Sequence, residues 1–231
     1  MEVNLQNIID ATWKHYGVKI QEETLMKALE FSREVTFKKG TIILGMGEQM
    51  KNTCFILNGI VRSYYLDKEG NDVTKNFMKE FNFCVGESIF TDEESGQGFE
   101  ALEKCDCLEF DAKELKEFIL KDATLTKIYI KILEENLIYK MNRENGFQIK
   151  SATERYLDFK KNFKNIEERV TQSYVASYLG VTPVTLSRIR RTIREYIYFS
   201  RKKRMGRTEA TEKAMLFQCF EQTKIEFYST V

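Results

Sequence analysis

VTQSYVASYLGVTPVTLSRIRRTI, residues 170–193, is the stretch from which the fold is read. Val175, Ala176 and Leu179 recur at the spacing that lines one face of a short helix, and Thr171 stands where such a helix is capped. Gly180 follows, at the position where a left-handed residue ends a helix without a Cβ clash. Thr182 is placed to cap a second helix. Pro183, the sole proline of the chain, falls at the first position of that helix, where its missing N–H does no harm. Leu186, Ile189 and Ile193 then point inward. Val184, Thr185, Ser187, Arg188, Arg191 and Arg194 are left on or near the outside. A major groove admits one helix of this kind, and Arg holds O6 and N7 of guanine with two bonds. Without a polyanion partner, the same pattern is a short helical hairpin.

Charge around this stretch is uneven. Residues 150–207 hold 15 Lys and Arg against 5 Asp and Glu, so they carry +10 in a chain whose formal charge is +1. The remainder carries −9, from 21 basic and 30 acidic residues. A basic end on a near-neutral chain fits a polyanion partner, or else a solvated lysine-rich surface. Arg201-Lys202-Lys203-Arg204, just beyond the hairpin, reads in the same two ways.

Upstream, Phe37 to Phe110 has a different character. Short β-prone runs recur at Thr41–Leu44, Cys54–Leu57, Ile60–Leu66, Val73–Phe77, Phe83–Val85 and Cys107–Phe110, with glycines between many of them. Such spacing predicts a small barrel or sandwich. Asn58-Gly59 predicts a two-residue hairpin between the flanking runs, and Glu69-Gly70-Asn71 a second turn. Helical patterns flank this region: Ile8–Tyr16 and Glu22–Phe31 before it, and one from Asp111, a capping residue, to about Leu120 after it. Asp122 to Phe147 reads as one long helix with an apolar stripe through Leu125, Ile128, Tyr129, Ile132, Leu133 and Leu137. The stripe fits either a contact within the chain or a dimer seam. Ser151 to Lys164 is a further amphipathic helix opened by a capping box, Ser151 with Glu154.

Several functions are disfavoured. With 42% hydrophobic and 31% charged residues the composition is that of an ordinary globular protein. His15 is the sole histidine, which argues against His-based triads and multi-His metal centres; it is read as a surface or packing residue. No G-x-S-x-G nucleophile motif occurs, so an enzyme is not expected, and no cofactor or metal is assigned. The five cysteines are odd in number and no secretory leader is read at the N-terminus, so a reducing cytoplasm is the expected location. No run approaches the roughly 18 apolar residues of a membrane span. Cys105 and Cys107, two apart, would face one side of a strand, as packed thiols or as a metal or redox pair.

ASYLGVTPVTLSRIRR (176–191) resembles the recognition segment of Crp/Fnr transcription regulators, in a branch with a YLGITPETLSRIR-like signature. ERYLDF (154–159) resembles the helix before it. KKGTIILGMGEQMKNTCFILNGIVRSYYLDKEGNDVTKNFMKEFNFCVGE (38–87) resembles the cyclic-nucleotide-binding-type β-roll of that family. The resemblance runs from about residue 20 to residue 204. It implies an α+β fold: a sensor β-roll (a double-stranded β-helix) over residues 1–122, a dimerisation helix over 123–149, a winged-helix-type helix-turn-helix domain over 150–205, and a tail, 206–231, without an assigned role.

The same resemblance implies a homodimer joined through Leu125, Ile128 and Ile132, and a palindromic operator in double-stranded DNA. Pro183, Val184, Ser187 and Arg188 would face bases. Thr171, Thr182, Thr185, Arg191, Lys202 and Lys203 would hold phosphates. RNA polymerase is a further partner the family allows. Gly86, Glu87, Ser88, Gln97 and Phe99 fall where the family binds an effector, so an unknown small molecule is a candidate ligand. Two departures stand out. The cAMP-binding members carry an Arg-Ser-Ala-like triplet whose Arg pairs with the cyclic phosphate, whereas the matching place here is Gln97-Gly98-Phe99. No Lys or Arg lies between Val85 and Glu103. A phosphate buried without a cation is costly, so cAMP is not expected. Val184 also stands where relatives often carry Glu, and EYIYFSRKKRM (195–205) lies where a wing would follow. The alternative is a nonspecific DNA-binding or protein-interaction module without a ligand.

Overall fold

The computed structural model describes residues 4–86, 91 and 93–203. Two helices open the chain, α1 (Leu5–Tyr16) and α2 (Glu22–Glu30). Asn4 caps the first through its side chain, and Gly17 ends it in the left-handed conformation. Eight strands follow: β1 (Arg33–Phe37), β2 (Ile42–Leu44), β3 (Asn52–Asn58), β4 (Val61–Leu66), β5 (Asp72–Met78), β6 (Phe83–Cys84), β7 (Gly98–Ala101) and β8 (Cys105–Asp111). They form two four-stranded sheets, ordered β1-β8-β3-β6 and β2-β7-β4-β5, with antiparallel neighbours throughout. Residues pointing inward from both sheets, among them Leu44, Ile56, Val61, Met78 and Phe99, close one core. Cys54, Cys84, Cys105 and Cys107 belong to the same core. Burial pushes the thiols of Cys105 and Cys54 up to about 11 and about 12. These sulfurs therefore pack as small apolar groups.

The Asn58-Gly59 turn corrects the hairpin expectation. β3 pairs with β6 and β8, whereas β4 pairs with β5 and β7. The turn thus carries the chain from one sheet to the other. Gly59 has φ +110, and a Cβ there would lie 2.7 Å from the Cys105 sulfur and 2.8 Å from the Lys104 carbonyl oxygen. Glycine is required at this corner by conformation and by space. The second turn is a true hairpin: β4 and β5 pair antiparallel, with a one-residue register shift between Ser63 and Tyr64, and the Asp67 carboxylate accepts the backbone N–H of Asn71 at 2.8 Å. Two strands had no clear sequence signal. β1 is a five-residue edge strand, and β7 begins at a glycine.

Asp111 caps α3 (Ala112–Lys121), and Asp122 caps the long α4 (Ala123–Ile149), each accepting two backbone N–H groups. Ser151 and Glu154 form the expected capping box on α5 (Ala152–Asn162). After the single turn α6 (Ile166–Arg169) come α7 (Gln172–Leu179) and α8 (Pro183–Lys203). Residues 195–203, where a wing was looked for, continue α8 as helix, and the described residues after β8 contain no strand. Among the described residues no helix is long and apolar enough to cross a membrane.

Candidate nucleic-acid interface and sensor face

Val175, Ala176, Leu179, Leu186 and Ile189 are buried where α7 meets α8. Gly180 turns the chain between them with φ 66 and ψ 39, its N–H reaching the Ala176 and Ser177 carbonyls. A Cβ on Gly180 would lie 2.9 Å from the Phe147 ring, so the turn also sits against the end of α4. The Thr182 hydroxyl accepts the Thr185 N–H at 3.1 Å and caps α8. Thr171 occupies the cap position of α7 but makes no side-chain cap bond; its hydroxyl pairs with that of Ser173 at 3.1 Å.

Most of the described residues assigned to DNA reach solvent. Thr171, Thr182, Pro183, Ser187, Arg188 and Arg191 are exposed, and Val184 is 61% exposed. Thr185 is half-buried. Arg190 points the other way, its guanidinium 2.5 Å from the Glu167 carboxylate. Two arginines two positions apart thus serve different ends, as helical spacing dictates. The side chains of Lys202 and Lys203, and the whole of residues 204–231, lie outside the described residues.

On the sensor, Gly86, Gln97 and Phe99 come together inside the roll, while Glu87 and Ser88 lie outside the described residues. A Cβ on Gly86 would lie 3.3 Å from the Ser95 hydroxyl and 3.5 Å from the Phe99 ring. The Ser95 hydroxyl donates to the Gln97 carbonyl at 2.9 Å. Lys75, on β5, donates to the Gln97 Oε1 at 2.8 Å and stands 4.9 Å from the centre of the Tyr65 ring. Sequence reading searched for a cation only along the segment itself and missed this one. It comes from β5, which β4 separates from β7 in the sheet, and lies over twenty positions earlier in the chain.

The outer face of sheet β2-β7-β4-β5 is covered by the helical region. Ile60, Phe77 and Leu102 share one core with Tyr156, Phe159, Tyr178 and Leu186. The Thr74 N–H donates to the Ser177 hydroxyl at 2.9 Å. Arg169 pairs with Glu80 at 2.7 Å and also with Glu103. At the centre is Arg62, 2% exposed. It donates to both Asp72 oxygens at 2.8 and 2.7 Å, to Glu100 at 2.7 Å and to the Thr74 hydroxyl at 3.1 Å. The Tyr174 ring of α7 lies over its guanidinium, 3.9 Å from centroid to Cζ. Burial works against the charge of Arg62, but the hydrogen bonds to Asp72 and Glu100 outweigh it and hold its pKa above the ordinary value. The Asp72 carboxyl is held below its ordinary value, chiefly by the Arg62 hydrogen bond.

The apolar stripe of α4 divides. Ile128 is buried within its own chain, and Leu125 and Ile132 beside it are half-buried. On the opposite face Ile130, Leu133, Leu137 and Met141 are 49%, 41%, 59% and 54% exposed.

Residues 34–122 match the cyclic nucleotide-binding domain family. No curated protein matches the chain as a whole. Among solved structures, the c-di-GMP responsive global regulator CLP of Xanthomonas campestris is 14% identical, with a TM-score of 0.62 over 76% of this chain and 92% of that one. FixK2 of Bradyrhizobium japonicum is 19% identical, TM-score 0.61, over 71% and 85%. A CooA mutant from Carboxydothermus hydrogenoformans is 17% identical, TM-score 0.64, over 84% and 86%. At these identities the likeness is one of fold.

Proposed function

We propose that this chain, with a cyclic nucleotide-binding-type domain at residues 34–122 and the fold of Crp/Fnr-type regulators, is a sequence-specific DNA-binding transcription regulator. The observation that carries this reading is the exposure of Thr182, Pro183, Val184, Ser187, Arg188 and Arg191 at the start of α8. An α-helix presenting its first turns in this way fits a major groove. Pro183, Val184, Ser187 and Arg188 face base edges; Thr171, Thr182, Thr185, Arg191, Lys202 and Lys203 hold phosphates. The chain works as a homodimer in the cytoplasm on a palindromic operator, and it is a regulator rather than an enzyme. RNA polymerase is a partner this reading allows. The seam we assign to the solvent-facing stripe Ile130–Leu133–Leu137–Met141, because Ile128 is already spent inside its own chain. The sensor is degenerate towards cAMP: Lys75, the cation beside Gln97, is bonded to it and not set to replace a triplet arginine.

Salt titrations on a bound fragment and on random DNA test the reading. Arg188→Ala loses one bidentate base contact, about 1–3 kcal/mol, and with it discrimination between the two DNAs. Lys202→Ala/Lys203→Ala keeps discrimination and lowers the salt slope by about one unit per lost contact. Equal weakening of both DNAs by Arg188→Ala would contradict the placement of α8. The second reading, a nonspecific module, predicts no discrimination in the parent chain.

A further inference from the structure

Strands β4 and β7 each have two faces with different occupants. Val61 and Phe99 point into the core of the roll. Arg62 and Glu100, their immediate neighbours, point outward and bond each other at 2.7 Å beneath α7. The alternation is the two-residue period of a strand. Gln97 and Phe99, in the candidate effector pocket, are therefore separated from the Arg62 cluster by the thickness of one sheet. The cluster also has an unusual charge balance. One buried guanidinium faces two carboxylates, and the Glu100 side chain is only 14% exposed. Without Arg62, the Glu100 carboxylate would remain largely buried beside the Tyr174 ring with no cation, and water would have to enter to solvate it.

We propose that Arg62 is the coupling residue of this molecule, which transmits displacement of β7 inside the sensor to the position of α7 and α8 outside it. The proposal rests on the DNA-binding reading of α8 given above. A ligand that pushes on Phe99 or draws on Gln97 shifts the next residues of the same strand. Glu100 moves with them, and Arg62 passes the motion to Tyr174 through the face of its ring. The recognition surface of α8 stays exposed while the helices are docked, so the contact sets the orientation of α8 rather than covering it. In a dimer, orientation decides whether two recognition helices meet successive grooves together. Arg62 is thus a positioning residue and touches neither ligand nor DNA.

Hydrogen exchange on the full chain tests the proposal without knowledge of the ligand. Arg62→Met should raise exchange of the α7 amides at least tenfold and leave β3 and β8 protected. Tyr174→Leu, approaching from the helical side, should do the same. If Arg62→Met unfolds the whole chain, local loosening in Tyr174→Leu still supports the coupling, and unchanged α7 exchange in Tyr174→Leu overturns it. Arg62→Met/Glu100→Gln keeps the net charge of the cluster, leaves only the more exposed Asp72 carboxylate, and serves as the uncoupled background. Phe99→Leu, a change made only inside the roll, should alter α7 exchange and DNA affinity severalfold in the parent chain, and alter neither in that background. An effect of equal size in both backgrounds, or none in either, would overturn the proposal. If the parent chain binds no DNA, the DNA-binding reading fails, while the exchange cycle still decides the coupling.

Discussion

Arg188 and Arg190 show how far residue type alone misleads. Both belong to the basic segment, yet one faces solvent and the other closes an ion pair with Glu167. The helical period separates them, and that much was legible from the spacing of Leu186, Ile189 and Ile193. Arg62 was not legible. It lies in the run IVRSYYL, where alternation predicts only that it faces away from Val61, and its partners come from β5, β7 and α7. Its pairing has a pH consequence. The groups around Asp72 are Arg62 and Tyr64 on β4, Glu100 on β7 and Tyr174 on α7. The folded-state pKa of Asp72 is depressed, so its contribution to stability is complete above the ordinary aspartate range and is lost as pH falls through the lowered value. Protection of the α7 amides should therefore hold from neutrality down to about pH 5 and fall below about pH 4, and Asp72→Asn should flatten that fall. Acid loss of equal steepness in Asp72→Asn would assign the effect to other carboxylates.

The long helix α4 carries two apolar stripes, and only burial tells them apart. Sequence periodicity picks out Leu125, Ile128, Tyr129, Ile132, Leu133 and Leu137 together, and of these Leu125, Ile128 and Ile132 line the face turned to the chain itself. The exposed face, Ile130, Leu133, Leu137 and Met141, has the same helical spacing. Leu137→Glu should give a folded monomer by light scattering at low micromolar concentration. Ile128→Glu should instead destabilise the fold, since an unpaired carboxylate would replace a side chain that is 7% exposed. Dimers that survive Leu137→Glu would place the seam elsewhere. Other elements were readable to within a few residues because their signals are local. Asp111 and Ser151 act as caps where the sequence put them, and Asp122, read as the first residue of the long helix, is its cap. The corner at Asn58-Gly59 was misread because a hairpin and a sheet-to-sheet crossing use the same turn residues. What separates them is the partner strand, which is non-local. β7 was missed for a similar reason: GFEA has little propensity of its own and is a strand because β2 and β4 flank it.

The molecule as a whole joins a β-roll and a helical hairpin through a packed core. The roll does not offer the family's triplet arginine to a cyclic phosphate, and Lys75 is engaged with Gln97. Calorimetric titration with cAMP should show no binding at micromolar concentration, and a micromolar dissociation constant would contradict the degenerate-sensor reading. The charge division, +10 over the basic end, residues 150–207, against −9 elsewhere, is legible from composition and fits a polyanion partner or a solvated basic surface. The docking of that end onto the sheet had no counterpart in composition or motif. It depends on Ile60, Phe77 and Leu102 meeting aromatic side chains roughly a hundred residues away. The most direct measurement of the central claim is selection of fragmented genomic DNA by the purified full-length chain at physiological salt, followed by sequencing. The account predicts that bound fragments share an inverted repeat whose half-site centres lie about 10–10.5 base pairs, or a small multiple, apart; fragments enriched without any common motif would contradict it.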